Sequence, residues 1–237
     1  MKKLFALFFI GFISIVEAQH TDSYFAQTNA FLKENVKNGR VDYNSIKANP
    51  APLKDLISQA KKLIVSKADA KTYQAFWINT YNLLVIDGIV ENYPLKSPLD
   101  VPGFFDKKKH DVGGEQITLN DIENKLLRAN FPKEARFHFV LVCAGLGCPP
   151  IIAMAYSPER LDAQLEQQTV KALNDPDFIK VNNTKIGVSQ IFEWYKGDFE
   201  QYGSILDFIN KYRKDKLSED SKISYYPYDW TLNDMKN

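Results

Sequence analysis

The chain has 237 residues, and its charge nearly cancels, with 30 Lys and Arg against 29 Asp and Glu. That balance argues against nucleic acid or an anionic membrane as an obligatory partner, since both select a basic surface. Two cysteines and three histidines are too few to support a structural zinc site, and no EF-hand spacing appears, so neither a metal nor a cofactor is assigned.

Lys2 and Lys3 precede an apolar run, Leu4–Val16, and Val16-Glu17-Ala18 offers a small-residue cleavage site. This pattern reads as a signal peptide over residues 1–18. The run is too short for a membrane span, and no cysteine near the cleavage site offers a lipid anchor. The expectation is an exported protein, periplasmic or extracellular, with no membrane anchor after cleavage. A disulfide can persist in such a compartment.

Residues 19–68 read as an N-terminal helical region. Thr21–Asn38 carries Phe25, Leu32 and Val36 on one helical face, Val41–Tyr43 is a short extended piece, and Pro52–Ser66 is a second helix. A larger α+β region follows over residues 69–237. Its longest element is Asp69–Tyr93, a helix apolar around most of its circumference and therefore buried. Asn79 and Asn82 interrupt it three positions apart, so they share a face. They suit the tethering of a neighbouring loop better than contact with a substrate, which is the second reading.

Gly113-Gly114 inside Val112–Ile117 predicts a hairpin, and Thr118 with Asp121 predicts a capped helix through Arg128 with Glu123 on it. Phe137–Val142 is apolar and rich in β-branched and aromatic residues, which reads as a buried strand. It leads into Cys143, the glycine-rich turn Ala144–Gly147, Cys148 and two prolines. Ser157–Leu173 is a helix, Phe178–Val188 a hairpin, and Gln190–Tyr195 a short helix with Trp194 on it. Ser204–Arg213 is the last helix, Lys222–Tyr228 a closing strand, and 229–237 a tail. The element order argues an α+β fold, with a helical N-terminal part packed on a small, mostly antiparallel sheet.

Several stretches together resemble the domain of unknown function 547 family. They are Phe76–Asn79 with Tyr81-Asn82, Glu91–Pro94, Pro102–Phe105, Leu119–Arg128, His138–Pro150, Ser189–Phe199 and Tyr226–Trp230. The resemblance implies a shared fold and a common pocket around these motifs, and it implies no particular reaction. Asn124 stands where many members carry His after Asp121-Ile122-Glu123, which removes a titratable group from that helix.

Three chemistries compete for the central stretch. The first is a cysteine-dependent hydrolase or acyl transferase acting on a peptide, ester or cell-envelope substrate. Its nucleophile is Cys148 or Cys143, with Cys148 the more exposed candidate at the end of the glycine loop. Its base is His138 or His110, oriented by Glu123, Asn79 or Asn82. In a regular strand His138 and Cys143 fall on opposite faces, which disfavours a direct pair. The second is a non-catalytic binding module in which Cys143 and Cys148 form a disulfide and Trp194 helps to line a groove. The third is thiol exchange, for which a four-residue gap is a weak signal.

Overall fold

A computed structural model describes residues 20–201 and 203–236. The expected signal segment therefore lies outside the described residues. Among them, no helix is long and apolar enough to cross a membrane.

The fold is built around one helix. Ala70–Asn92 begins at Asp69, whose carboxylate accepts from the Thr72 N–H at 3.2 Å. Every residue from Ala75 to Val90 is buried, as an all-round apolar sequence requires. Gly88 is needed within it because a Cβ there would lie 2.7 Å from the Phe104 ring. In chain order this helix is α4. It follows α1 (residues 20–35), a two-residue ladder of β1 (Val36–Lys37) with β2 (Arg40–Val41), α2 (Tyr43–Ala48) and α3 (Ala51–Lys62). Both α2 and α3 pack on α4, and Tyr24 of α1 hydrogen-bonds Thr80 of α4 at 2.8 Å. The N-terminal helices thus share one core with α4.

The β3 (His110–Val112) and β4 (Glu115–Ile117) hairpin turns through Gly113 and Gly114, both at positive φ (58° and 80°). Thr118 and Asp121 make the expected capping box on a short turn, α5 (Leu119–Asp121). This turn continues as a π-helix, Ile122–Arg128, a form often found at functional sites. A second core gathers Phe139, Phe178, Phe192, Phe199 and Phe208 between α6 (Leu161–Leu173), α7 (Ile191–Trp194), α8 (Lys196–Glu200), α9 (Ile205–Tyr212) and a three-stranded sheet. In that sheet β5 (Ile179–Asn182) pairs antiparallel with β6 (Lys185–Ser189), and β6 pairs parallel with β7 (Lys222–Tyr226). The α+β class with small, mainly antiparallel sheets is what the sequence implies.

Two expectations fail. Phe137–Val142 is not a strand: Ala135–Phe139 forms a 3-10 helix and Val140–Val142 runs irregularly after it. The segment is wedged between the two cores, with Phe137 and Val140 in one and Phe139 in the other. Its apolar run marks burial, and burial alone does not select strand over helix. The last residues are not a tail either. Leu232, Asn233 and Asp234 are buried, Asp234 bridges Val41, and the Tyr43 hydroxyl donates to Asn233 at 2.7 Å.

Candidate functional site

The site starts from Asn82. Its amide nitrogen donates to the Val140 carbonyl at 3.0 Å and its oxygen accepts from the Val142 N–H at 2.9 Å. One buried side chain thus stands in for a strand neighbour and fixes the backbone that delivers Cys143. Asn79 does the same further along, holding Tyr156 through its carbonyl (2.8 Å) and its N–H (3.0 Å). Neither amide lines the cavity described below; both tether neighbouring loops.

Just past Cys143, Ala144 takes a left-handed conformation (φ 63°). That costs a non-glycine residue about 1–2 kcal/mol, and such strain concentrates at functional sites. The C-terminal segment holds the turn in place. Leu146 N–H donates to Thr231 O (2.8 Å), Gly147 N–H to Asp229 O (2.7 Å), and Asn233 N–H to Ala144 O (2.8 Å). This approach explains the glycines. A Cβ on Gly147 would lie 2.8 Å from the Asp229 nitrogen and 3.0 Å from the Tyr228 ring, and one on Gly145 would lie 3.0 Å from the Asp229 oxygen.

The turn brings both sulfurs and one phenol together. Cys143 and Cys148 are free thiols with their Sγ atoms 2.6 Å apart. The Tyr228 hydroxyl is 2.7 Å from Cys143 Sγ and 2.8 Å from Cys148 Sγ, and the Cys143 N–H donates to Cys148 Sγ at 3.0 Å. The thiols differ in acidity. Burial pushes Cys143 up, but hydrogen bonds from Cys148, Tyr228 and the Gly145 N–H outweigh it and hold this thiol below its ordinary value. Burial pushes Cys148 well above its ordinary value, and the Cys143 sulfur adds to the rise. The more exposed-looking position of the sequence, Cys148, is thus the less acidic thiol, and Cys143 is the one poised to ionise.

A second group lies on the same cavity. His138 Nε2 is 2.8 Å from Asp198 Oδ2, and Arg128 Nε is 2.7 Å from the same oxygen. Burial raises the Asp198 carboxyl, but His138 and Arg128 together hold it far below the usual carboxylate range. An ionised Asp198 can only accept, so Nε2–H of His138 donates to it, and Nδ1 is the ring nitrogen this pair leaves unengaged. The imidazole rests against Tyr195, with ring centroids 4.1 Å apart. Burial raises the Tyr195 hydroxyl, and the Glu123 carboxylate, which accepts its hydrogen bond, adds to the rise. Among the described residues, no hydrogen bond joins His138 to either sulfur, so the acidity of Cys143 owes nothing to a histidine. The opposite-faces objection to a His138–Cys143 partnership no longer applies, because the segment is not a strand and both residues line one cavity.

That cavity is about 320 Å³. Cys143, Cys148, His138, Glu123 and Asn120 supply its polar groups; Tyr81, Phe105, Trp194, Tyr195, Tyr228 and Trp230 supply its aromatic wall. Trp194 is 48 % exposed and packs on Tyr228 and Trp230. Of the residues singled out in the sequence, Cys143, Cys148, His138, Glu123 and Trp194 meet here. His110 does not: it is buried on β3, and burial and then Lys108 lower its imidazole to about 4. Asn124 turns to Asn120 and Arg128. Sequence reasoning assigned no role to Tyr228 or Asp198, although each sits in a stretch that carries the family resemblance. Among the described residues, no cluster of three or more His, Cys, Asp or Glu side chains suits a metal ion.

An acidified cysteine opening on an aromatic-walled cavity makes this an α+β domain with a thiol site. The family model described as "Protein of unknown function, DUF547" matches residues 65–171, the segment that carries most of the motifs behind the resemblance. The matched span supplies Tyr81, Glu123, His138 and both cysteines, while Trp194, Tyr195, Asp198, Tyr228 and Trp230 come from beyond it. Comparison with curated proteins and with solved structures gives no match.

Proposed function

We propose that the protein is a cysteine-dependent hydrolase or acyl transferase, with Cys143 as its nucleophile and a peptide, ester or cell-envelope acyl compound as its substrate. One arrangement carries the reading: the Cys143 sulfur stands at the wall of a cavity of about 320 Å³ with the Tyr228 hydroxyl 2.7 Å away, a donor placed to stabilise its thiolate. The thiolate attacks the substrate carbonyl, a carbon–sulfur bond forms and the bond to the leaving group breaks, the leaving group taking its proton from solvent. Water or an acceptor nucleophile then releases the acyl group from sulfur. Tyr228 hydrogen-bonds the thiolate, so the acidity of Cys143 needs no histidine. His138, oriented by Asp198 and lining the same cavity, takes the proton of the incoming water or acceptor nucleophile through Nδ1. Glu123 is committed to Tyr195 and shapes the wall beside His138. The protein acts outside the cytoplasm after signal removal, without nucleic acid and without a membrane anchor.

The test is acyl trapping on the reduced chain lacking residues 1–18. It is mixed with activated acyl esters and acyl peptides, and the adduct is located by mass spectrometry. The reading expects acylation of Cys143, its loss in Cys143→Ala, and a fall in deacylation of about 10²-fold or more in His138→Ala. If no acyl compound modifies Cys143 while an alkylating agent does, the acyl-transfer reading is wrong.

A further inference from the structure

Cys143 and Cys148 do not open on the same spaces. Both cysteines line the aromatic cavity, and among the described residues Cys148, but not Cys143, also borders a separate recess of about 260 Å³ with Leu146, Pro149, Pro150 and Tyr226. Cys148 thus has the Cys143 sulfur as its neighbour within the site and stands on a recess whose lining does not include Cys143. Thiol–disulfide exchange asks for this arrangement. The attacking thiolate needs access to one sulfur, and the other sulfur must be able to leave as a thiolate, which the more acidic thiol does faster. Here the sulfur with outer access and the sulfur suited to leaving are different atoms, and they are already adjacent at 2.6 Å.

We propose that Cys143 and Cys148 form an exchangeable disulfide couple whose external thiol partner acts at Cys148 through the outer recess. In the reducing direction, an external thiolate attacks Cys148 Sγ. The Cys143–Cys148 bond breaks, and its electron pair leaves on Cys143. A second external thiolate then attacks the partner's sulfur in the mixed disulfide, and Cys148 leaves and takes up a proton. The balance is one protein disulfide and two external thiols giving two protein thiols and one external disulfide. Oxidation by an external disulfide runs through the same steps reversed, with Cys143 resolving the mixed disulfide on Cys148. The Tyr228 hydroxyl, within hydrogen-bonding distance of both sulfurs, stabilises whichever one carries charge. The couple does not depend on the acyl reading, but it would govern that chemistry, because the disulfide form has no free Cys143.

The test equilibrates the chain lacking residues 1–18 in buffers of reduced and oxidised glutathione. The reaction is quenched with an alkylating agent, and thiols, disulfide and glutathione adducts are assigned by mass. The wild type is expected to pass reversibly between two free thiols and one internal disulfide. Pulsing the internal disulfide of the wild type with reduced glutathione and quenching at early times is expected to trap glutathione on Cys148 with Cys143 free, at least tenfold over the reverse arrangement. Absence of an internal disulfide in the wild type at the most oxidising ratio overturns the couple. Equal or faster adduct formation on Cys143 overturns the route through the recess. Acyl trapping reads a different adduct, so either proposal can fail without the other.

Discussion

Replacing Asn82 by alanine tests how the site is held together. Its amide satisfies a buried carbonyl at Val140 and a buried N–H at Val142, and Asn82 is itself only 4 % exposed. Leaving a buried polar group without a partner costs about 1–3 kcal/mol, so the pair amounts to about 2–6 kcal/mol before the backbone relaxes. That is a large share of a typical domain stability of about 5–15 kcal/mol. The comparison is Asn92→Ala, which removes one bond to the Gly88 carbonyl at the half-buried end of the same helix and is expected to cost about 1 kcal/mol or less. Urea unfolding of the two variants measures the difference. Alkylation of Cys143 in the folded fraction reports whether the segment has moved. A loss below about 1 kcal/mol for Asn82→Ala would show that the Val140–Cys143 backbone is fixed by packing and that the amide is incidental.

Other expectations follow from single contacts. Tyr228→Phe removes a hydrogen bond to a thiolate, worth about 1.5–3 kcal/mol, so the pH at which Cys143 becomes alkylatable should rise by roughly one to two units. Gly147→Ala drives a Cβ against the Asp229 nitrogen and the Tyr228 ring and should cost about 1–3 kcal/mol. It should also slow Cys143 alkylation, whereas Gly114→Ala, with open space around it, should leave the thiol unchanged. His110 is held down to about 4 by burial and then by Lys108, against about 6.5 in an unfolded chain. Between those values the unfolded chain binds a proton that the native one refuses. Stability should therefore be full above pH 6.5 or so and fall by about 3 kcal/mol as the pH drops towards 4. Denaturant melts across that range should show the fall in the wild type and a smaller one in His110→Gln. The Asp198 carboxyl, held low in the fold, adds a separate loss that begins only below the ordinary carboxylate range near pH 4.

Local rules sufficed where one segment carried its own signal. Asp69 and Tyr93 bound the central helix, Gly113-Gly114 turns a hairpin, and Ser204 with Asp207 caps α9 through short-range chemistry. What escaped depended on partners distant in the chain. Phe137–Val142 has the composition of a strand, but its hydrogen bonds go to a helical turn and to Asn82 from far upstream. The last residues look like a polar tail, yet they close over Ala144–Gly147 and bring Tyr228 to both sulfurs. The candidate site was legible as a list of residue types, since Cys143, Cys148, His138, Glu123 and Trp194 do line one cavity. Their roles were not legible. Which cysteine ionises depends on a phenol eighty-five residues away from Cys143, and the partner of His138 is Asp198, which no spacing rule connects to it.

The central claim is that Cys143, and not Cys148, is the activated thiol. The direct measurement is alkylation of the fully reduced native protein with iodoacetamide across a pH series, with each site read separately by mass spectrometry. The account predicts that Cys143 labels with a midpoint below the ordinary thiol value of about 8.5, while Cys148 stays unlabelled until well above it. Labelling of Cys148 first, or of both residues with one ordinary midpoint, would contradict it.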